Sequence, residues 1–189
     1  MKPLYKYAGI VASLVLVAFG IGALVMGISG RAEVRDNIAR EQIVGTPDMA
    51  ASVAGKKVET GAQAKAFANG IRKHTLEATG GQVYSEMGRF LTAAGKPTSD
   101  EKAAAVDKAT GKPVENPARN IWITSTALST ALNTSYFAEQ VAMFAIVMGV
   151  ALLLTGIGFL VLMLRLPVEL AERVRAGSGV GSTRPAMQS

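Results

Sequence analysis

Two long stretches of the chain carry no charged residue. The longer one runs for twenty-four residues, from Val141 to Leu164, and Arg165 and Pro167 follow it. A helix of this length reaches about 36 Å, enough to cross a hydrocarbon core of roughly 30 Å. The alternative is a core helix of a soluble protein, but such helices seldom run past ~20 residues without a polar face. The pattern therefore predicts a transmembrane helix.

The second uncharged stretch lies near the N-terminus, from Ala8 to Ser29, with Lys2 and Lys6 before it. A cleavable secretory signal is the alternative here. Its apolar core would span only about 7 to 15 residues, and an A-x-A-like cleavage site would follow. In this chain about twenty apolar residues continue directly to Arg31, as in a retained anchor. We predict transmembrane helices over residues 8–29 and 137–164.

The distribution of Lys and Arg predicts the orientation of these two helices. The short flanks, residues 1–7 and 165–189, carry six of the twenty basic residues, and fourteen lie between Arg31 and Arg119. Only short segments, up to ~60 residues, count for orientation, so the flanks favour both termini in the cytoplasm. Residues 30–136 would then form an extracytoplasmic domain. Its fourteen basic and eleven acidic residues leave only +3, which gives no support for a nucleic-acid partner.

The central segment has the pattern of a small helical domain that packs without disulfides, because the chain has no cysteine. Amphipathic spacing continues the first helix to about Ile43, and the predicted core positions are Val34, Ile38 and Ile43. Thr60 is the expected N-cap of a helix from Gly61 to about Ala78, with Gly80-Gly81 as its end. We expect Phe67, Ile71 and Ala78 to share its buried face, and a shorter helix to follow from Val83 to Ala93.

Residues 95–117 are rich in polar residues, glycine and proline, which predicts a mobile insertion with a small hairpin around Thr110-Gly111. Asn116 and Pro117 then have the pattern of an N-cap and a first helical residue. No glycine or proline interrupts the next thirty-one residues, so we predict one helix of about 48 residues. The face expected to meet a partner helix comprises Ile121, Ser125, Leu128, Leu132, Ser135 and Glu139.

The predicted fold class is therefore an all-α membrane protein. Its two transmembrane helices would form a long hairpin with a small helical extracytoplasmic domain. Residues 165–189 would form a cytoplasmic amphipathic segment followed by a disordered tail.

Small residues recur within the apolar stretches with a spacing of seven: Gly20 and Gly27 in the first, and Gly149 and Gly156 in the second. This spacing places the glycines on one side of each helix and allows close backbone approach in lipid. The two glycine stripes can face each other, which we favour, or one can meet a separate membrane protein. Trp122 is either an interior residue, the favoured interpretation, or an exposed anchor for a partner. These five are the expected helix-packing or partner-binding residues.

Residues suited to catalysis are few. His74 is the only histidine, and with Glu77 it provides too few ligands for a closed metal site. No G-x-S-x-G motif is present, and the glycine-rich GSGVGS at residues 177–182 has the composition of a linker. Glu139 begins the second transmembrane helix, either as part of a polar pair at the interface, which we favour, or as a buried carboxylate for ion or proton movement. We expect no catalytic residues, no cofactor and no metal.

Two segments carry a family resemblance: IVGTPDM at residues 43–49, and KAFANGIRKHTLEATGGQVYSEM at 65–87, within which HTLEATGG is the most specific part. Over residues 6–166 the chain resembles small two-span membrane proteins of actinobacteria, some of them described as aromatic ring-opening dioxygenases. That description does not fit, because a non-haem iron triad needs two histidines and a carboxylate. In plan the chain is similar to accessory subunits of the actinobacterial cytochrome bcc–oxidase supercomplex.

The glycine-striped helices, the helical exterior and the scarcity of residues suited to catalysis together predict a non-catalytic accessory or scaffold subunit of a bacterial plasma-membrane complex. The similarity of plan makes the respiratory supercomplex the most concrete candidate. The partners of such a subunit would be other integral membrane proteins and the lipid bilayer. The alternative is a membrane-anchored receptor or sensor whose exterior binds a small molecule or a component of the cell envelope.

Overall fold

The computed structural model describes residues 2–178, and most of these residues are helical. Two 3₁₀ turns and two short antiparallel strands connect the second and third α-helices. The elements are α1 Lys2–Arg40, α2 Gly61–Ala78, the 3₁₀ turn Tyr84–Glu86, β1 Phe90–Leu91, β2 Pro97–Thr98, the 3₁₀ turn Glu101–Ala103, and α3 Pro117–Ser178. Of the disordered tail predicted for residues 176–189, the first three residues belong to the end of α3, and residues 179–189 lie outside the described residues.

The chain divides into two compact units. The apolar unit takes the chain up to Ser29 and from Ala142 onward, and the central unit is Gly30–Val141. Helices α1 and α3 each contribute residues to both units.

Helices α1 and α3 are both long and apolar enough to cross a membrane, over Tyr7–Arg40 and Pro117–Arg165. Only 11% of the most apolar part of each helix is buried, whereas the core helix of a soluble protein is mostly buried. The prediction of two long apolar helices that could span a membrane is confirmed.

Two helix ends differ from the prediction. Helix α1 ends at Arg40, before the expected Ile43, and Gln42 follows with a left-handed φ of 51°. Helix α3 continues to Ser178, past the end expected at Leu164. The apolar pattern marks the part of a helix that can lie in lipid, whereas the helix itself needs only continued backbone hydrogen bonding.

Helix α2 has the predicted bounds because its ends are specified locally. The Thr60 hydroxyl accepts a hydrogen bond from the Gln63 amide at 3.2 Å, and the Gln63 side chain accepts one from the Thr60 amide at 3.2 Å. This capping box satisfies amides that lack partners within the helix. Gly80 and Gly81, with φ of 63° and 81°, follow its end. The predicted cap, helix and end are all confirmed.

The core of the central unit lies where α1, α2 and α3 meet the loop between α1 and α2. It comprises Ile38, Val53, Val58, Ala64, Ala68 and Leu132, and Val34, Ile43, Phe67 and Ile71 pack around it. The three core positions predicted in and after α1 are thereby confirmed, as are Phe67 and Ile71. Ala78 is exposed, and its assignment to the buried face was wrong.

The helix predicted from Val83 to Ala93 is absent. The 3₁₀ turn Tyr84–Glu86 and then β1 occupy this stretch, and Gly88 provides the physical reason. A Cβ added at Gly88 would clash with the amide nitrogen of Thr98, so the backbones of the two segments pass in close contact. Helical spacing cannot reveal such a non-local approach.

Residues 95–117 bond to β1 through the backbone, with the Leu91 amide donating to the Val114 carbonyl at 2.9 Å. The expected hairpin around Thr110-Gly111 is confirmed by an antiparallel bridge between Val106 and Pro113. The mobility of this stretch stays a prediction. Asn116 caps α3 as predicted, since its Oδ1 accepts a hydrogen bond from the Ala118 amide at 3.1 Å.

The buried face of α3 in the central unit is rotated from the predicted one. Ile121 and Leu128 are 43% and 53% exposed, so their assignment to this face was wrong. Ser125, Leu132 and Glu139 are buried as predicted, and Ser135 is partly buried. The observed face includes Trp122, which is buried, and Ser129, which is partly buried, in place of Ile121 and Leu128.

Candidate functional site

The four glycines of the predicted stripes lie together in the apolar unit. A Cβ added at Gly20 would be 2.8 Å from Leu153 Cγ and 3.0 Å from the Gly149 carbonyl oxygen. One added at Gly149 would be 2.9 Å from the Gly20 carbonyl oxygen. The backbones of α1 and α3 therefore approach so closely at these positions that no larger side chain fits without a shift.

The same close approach repeats at every seventh residue. Gly27 faces the Ala142 carbonyl at 2.8 Å, measured from its added Cβ, and Gly156 faces the Ser13 carbonyl at 3.0 Å. The contacts proceed in opposite directions along the two helices, as in an antiparallel pair. We call this line the glycine seam, and its members are Ser13, Gly20, Gly27, Ala142, Gly149 and Gly156. A period of seven is the spacing that keeps one seam facing a partner helix.

Many large side chains of the apolar unit lie on its exposed surface, whereas a few, such as Leu24, Ile146 and Leu153, contact the glycine seam. Bulky residues such as Phe19, Met26, Phe144 and Leu154 are all more than half exposed. In a bilayer these surfaces would contact lipid or another membrane protein.

The most elaborate polar site of the central unit is centred on Glu139, which is only 6% exposed. Its Oε1 accepts hydrogen bonds from the Nε atoms of Arg31 at 3.0 Å and Arg35 at 2.7 Å. Its Oε2 accepts one from the backbone amide of Gly61 at 2.6 Å. The carboxylate thus joins α1 and α3 to the first residue of α2, where an anion is favoured by the helix dipole.

Gly61 is required by the same junction. A Cβ there would lie 2.8 Å from Glu139 Oε2 and 2.9 Å from the Cα of Tyr136. Glu139 was predicted to form a polar pair with Gln140 at the interface, but it is buried and Gln140 is exposed. The arginine partners of Glu139 were not predicted, and they lie 104 and 108 residues away. One signal for these partners was available in the sequence: Arg31 and Arg35 are four residues apart and therefore lie on the same face of α1.

His74 pairs with a carboxylate on the surface. Its Nε2 lies 2.5 Å from Asp48 Oδ2, and the Thr46 hydroxyl donates to Asp48 Oδ1 at 2.6 Å. The Thr46 hydroxyl, and after it the His74 ring, lower the pKa of Asp48 well below its usual range. In the part of the chain whose side chains are described, residues 4–165 without residue 6, no three His, Cys, Asp or Glu side chains come together in a way that could hold a metal ion.

Trp122 lies inside the central unit and is 6% exposed. Its indole N–H donates to the Gln82 carbonyl at 3.0 Å and to the Thr79 hydroxyl at 3.3 Å. The Arg72 guanidinium lies over the indole ring, 5.5 Å from its centroid, which is within the range of a cation–π interaction.

Trp122 also lines a groove of about 680 Å³ that is open to solvent. Three elements form this groove, which we call the Trp122 groove: α2, α3 and the 3₁₀ turn Tyr84–Glu86. Its lining is mostly apolar, and it consists of Arg72, Val83, Tyr84, Ser85, Trp122, Ile123, Thr126 and Ala127.

Two smaller depressions share residues with the Trp122 groove. One, of about 200 Å³, shares Arg72, Trp122 and Thr126 and is lined mainly by hydroxyl and amide side chains. The other, of about 180 Å³, shares Tyr84 and Ile123. Arg119 lines this second depression, and its guanidinium lies 3.9 Å from the centre of the Tyr84 ring.

Trp122 was predicted to be an interior residue or a partner anchor, and the other residues of the groove were not predicted. One signal was available in Trp122 and Ile123, which are neighbours on a helix. Neighbouring helical positions lie about 100° apart, so two large apolar side chains there point in different directions. Ile123 is 54% exposed and forms a wall of the groove.

Comparison with known proteins finds no family profile, no curated protein and no solved structure that matches this chain.

Proposed function

We propose that this chain is a non-catalytic accessory or scaffold subunit of a bacterial plasma-membrane complex. The observation that supports the proposal best is the arrangement of the apolar unit. The glycine seam is used for packing between α1 and α3, which leaves surfaces of large apolar side chains available to another membrane protein. The few residues suited to catalysis agree with such a role.

The most concrete candidate for the complex is a respiratory supercomplex of the cytochrome bcc–oxidase type. The reason for this candidate is that the sequence resembles accessory subunits of that supercomplex in its predicted arrangement, two transmembrane helices and one outside domain. In this proposal both termini are cytoplasmic and the central unit is extracytoplasmic.

Co-purification tests the proposal. A tagged chain at its natural expression level would be extracted in a mild detergent and separated by size. The expected result is co-elution with haem absorbance and, by mass spectrometry, with cytochrome subunits in stoichiometric amounts. Elution of the chain alone, without stoichiometric membrane partners, would contradict the subunit proposal.

Variants of the outer surface would locate the contact. Phe144→Ala changes an exposed apolar residue of α3, and we expect it to reduce co-elution if its face meets the complex. Phe19→Ala is the matched change on α1. Loss with one variant and not the other would identify the helix that meets the partner.

A second candidate function is a membrane-anchored receptor or sensor. The Trp122 groove favours it, since an apolar groove with a few polar groups is the usual form of a small-molecule site. Binding at this groove is tested below, independently of any co-purification.

A further inference from the structure

The Trp122 groove combines an apolar base with a single charged side chain. Trp122 is nearly buried and held by its two indole hydrogen bonds. Ile123 and Tyr84 are partly exposed along the groove. A fixed indole and two apolar walls offer a site for a ring or an alkyl chain, because burial of apolar surface there is favourable.

The charge at this groove is positive. Arg72 is the only charged residue in its lining, which contains no Asp or Glu. Among residues 4–165, leaving out residue 6, where the side chains are described, none of the ion pairs involves Arg72. Its guanidinium is already oriented by the Trp122 ring, and a guanidinium binds carboxylates and phosphates through paired hydrogen bonds.

We propose that the Trp122 groove binds a small organic acid, a molecule with an aromatic or aliphatic body and one anionic group. The body would lie against Trp122 and Ile123, and the anionic group would bind Arg72. This inference rests on the second candidate function, ligand binding by the central unit, and does not depend on the subunit proposal.

The size of the groove favours a small molecule over a segment of a partner protein. Its volume of about 680 Å³ lies within the roughly 300–1,000 Å³ of small-molecule sites. The adjoining depression of about 200 Å³ shares Arg72 and presents hydroxyl and amide groups. These groups can accept or donate hydrogen bonds to further oxygens of the same acid.

Intrinsic fluorescence provides the readout, because Trp122 is the only tryptophan of the chain. The full chain in detergent would be titrated with three probes that share a body and differ in charge: 4-phenylbutyrate, 4-phenylbutanol and 4-phenylbutylamine. The expected result is a saturable change in fluorescence with phenylbutyrate, weaker binding of the alcohol, and no saturable binding of the amine.

Two variants locate the charge that matters. Arg72→Gln should weaken phenylbutyrate binding about tenfold and leave the alcohol unchanged, since a charge-assisted hydrogen bond is lost. Lys73→Gln is the matched control, because Lys73 is the next residue along α2 and pairs instead with Asp48 and Glu77. It should bind phenylbutyrate as the original chain does.

Three outcomes would overturn the inference. Equal affinity for the three probes would show that charge is not recognised. Unchanged phenylbutyrate binding in Arg72→Gln would remove the proposed role of the guanidinium. Absence of any saturable change, together with photo-crosslinking of position 123 to a protein in native membranes, would identify the groove as a protein contact instead.

The fluorescence titration and the co-elution experiment can fail independently of each other. Failure of all three probes leaves the co-elution test unaffected. Elution of the chain alone likewise leaves the fluorescence titration unaffected.

Discussion

At the scale of single residues, Glu139 is the side chain on which the most interactions converge. It accepts two charge-assisted hydrogen bonds from arginines and one from the first amide of α2. The arginine side chains are 35% and 40% exposed, so solvent screens part of the attraction. The hydrogen bond from the Gly61 amide, at the N-terminus of α2, is buried and therefore less screened by solvent.

Glu139→Gln should therefore destabilise the central unit by about 1–3 kcal/mol. We also expect faster amide hydrogen exchange in the first turn of α2, because Gly61 loses its anionic acceptor. The matched control is Gln140→Ala at the next residue, which is exposed and should change stability by no more than ~0.5 kcal/mol. Equal thermal stability of the two variants in detergent would contradict this role of Glu139.

A second residue-scale prediction concerns acid titration of Asp48. Its folded-state pKa is lowered, first by the Thr46 hydroxyl and then by His74. A group with a lowered folded-state pKa contributes stability above its unfolded pKa, about 3.9. That contribution is lost as pH falls through the folded-state pKa. Any acid-induced weakening at this site therefore begins only below about pH 4.

Carbon NMR of the labelled Asp48 carboxyl measures the pKa of this group in the folded protein directly. His74→Ala should raise its titration midpoint toward the ordinary value, and Thr46→Val should raise it further, because the Thr46 hydrogen bond is the larger cause. A midpoint unchanged in both variants would show that neither hydrogen bond holds the carboxylate in solution.

Local signals at single residues were the most readable from the sequence. Thr60, Asn116 and Gly80 were identified correctly as cap or end residues, since each acts on backbone groups within a few positions. The helix predicted from Val83 to Ala93 was wrong because Gly88 passes close to the backbone of Thr98, which lies on a different element. Arg31 and Arg35 were missed because their acceptor is more than a hundred residues away.

At the scale of elements, the glycine seam determines how α1 and α3 pack in the apolar unit. The spacing of the glycines was evident from the sequence, but a spacing of seven does not show which surface packs against them. The backbone carbonyls facing each added Cβ provide that information. The buried face of α3 in the central unit was misassigned for a related reason. Residues spaced alternately three and four apart define more than one possible face of a helix, and the predicted face lies next to the observed one.

Gly156→Leu tests the glycine seam. The added side chain would start 3.0 Å from the Ser13 carbonyl oxygen and 2.9 Å from Val17 Cγ2. We expect a loss of about 1–3 kcal/mol, from overpacking and separation of the helices. The readout is thermal unfolding in detergent.

Gly158→Leu is the matched control, because a Cβ at Gly158 meets nothing within 4 Å. It should leave stability nearly unchanged. Equal effects of the two substitutions would mean that the close approach of α1 and α3 does not exist in the folded protein.

At the scale of the whole molecule, the sequence predicted the two apolar helices well, because a long uncharged run has few alternatives. The Trp122 groove could not be predicted, since α2, α3 and the turn after α2 contribute separate residues to it. The proposed roles, as a subunit and as a binder of an organic acid, both require the same topology. Both proposals place the central unit outside the membrane and the two termini in the cytoplasm.

The absence of cysteine makes that topology directly measurable. Lys108→Cys and Ser189→Cys would each introduce one thiol, and intact cells would be treated with a membrane-impermeant maleimide. We predict labelling of the Lys108→Cys variant in intact cells, and labelling of the Ser189→Cys variant only after the membrane is permeabilised. Labelling of the Ser189→Cys variant in intact cells, or protection of the Lys108→Cys variant, would contradict a two-span protein with its central unit outside.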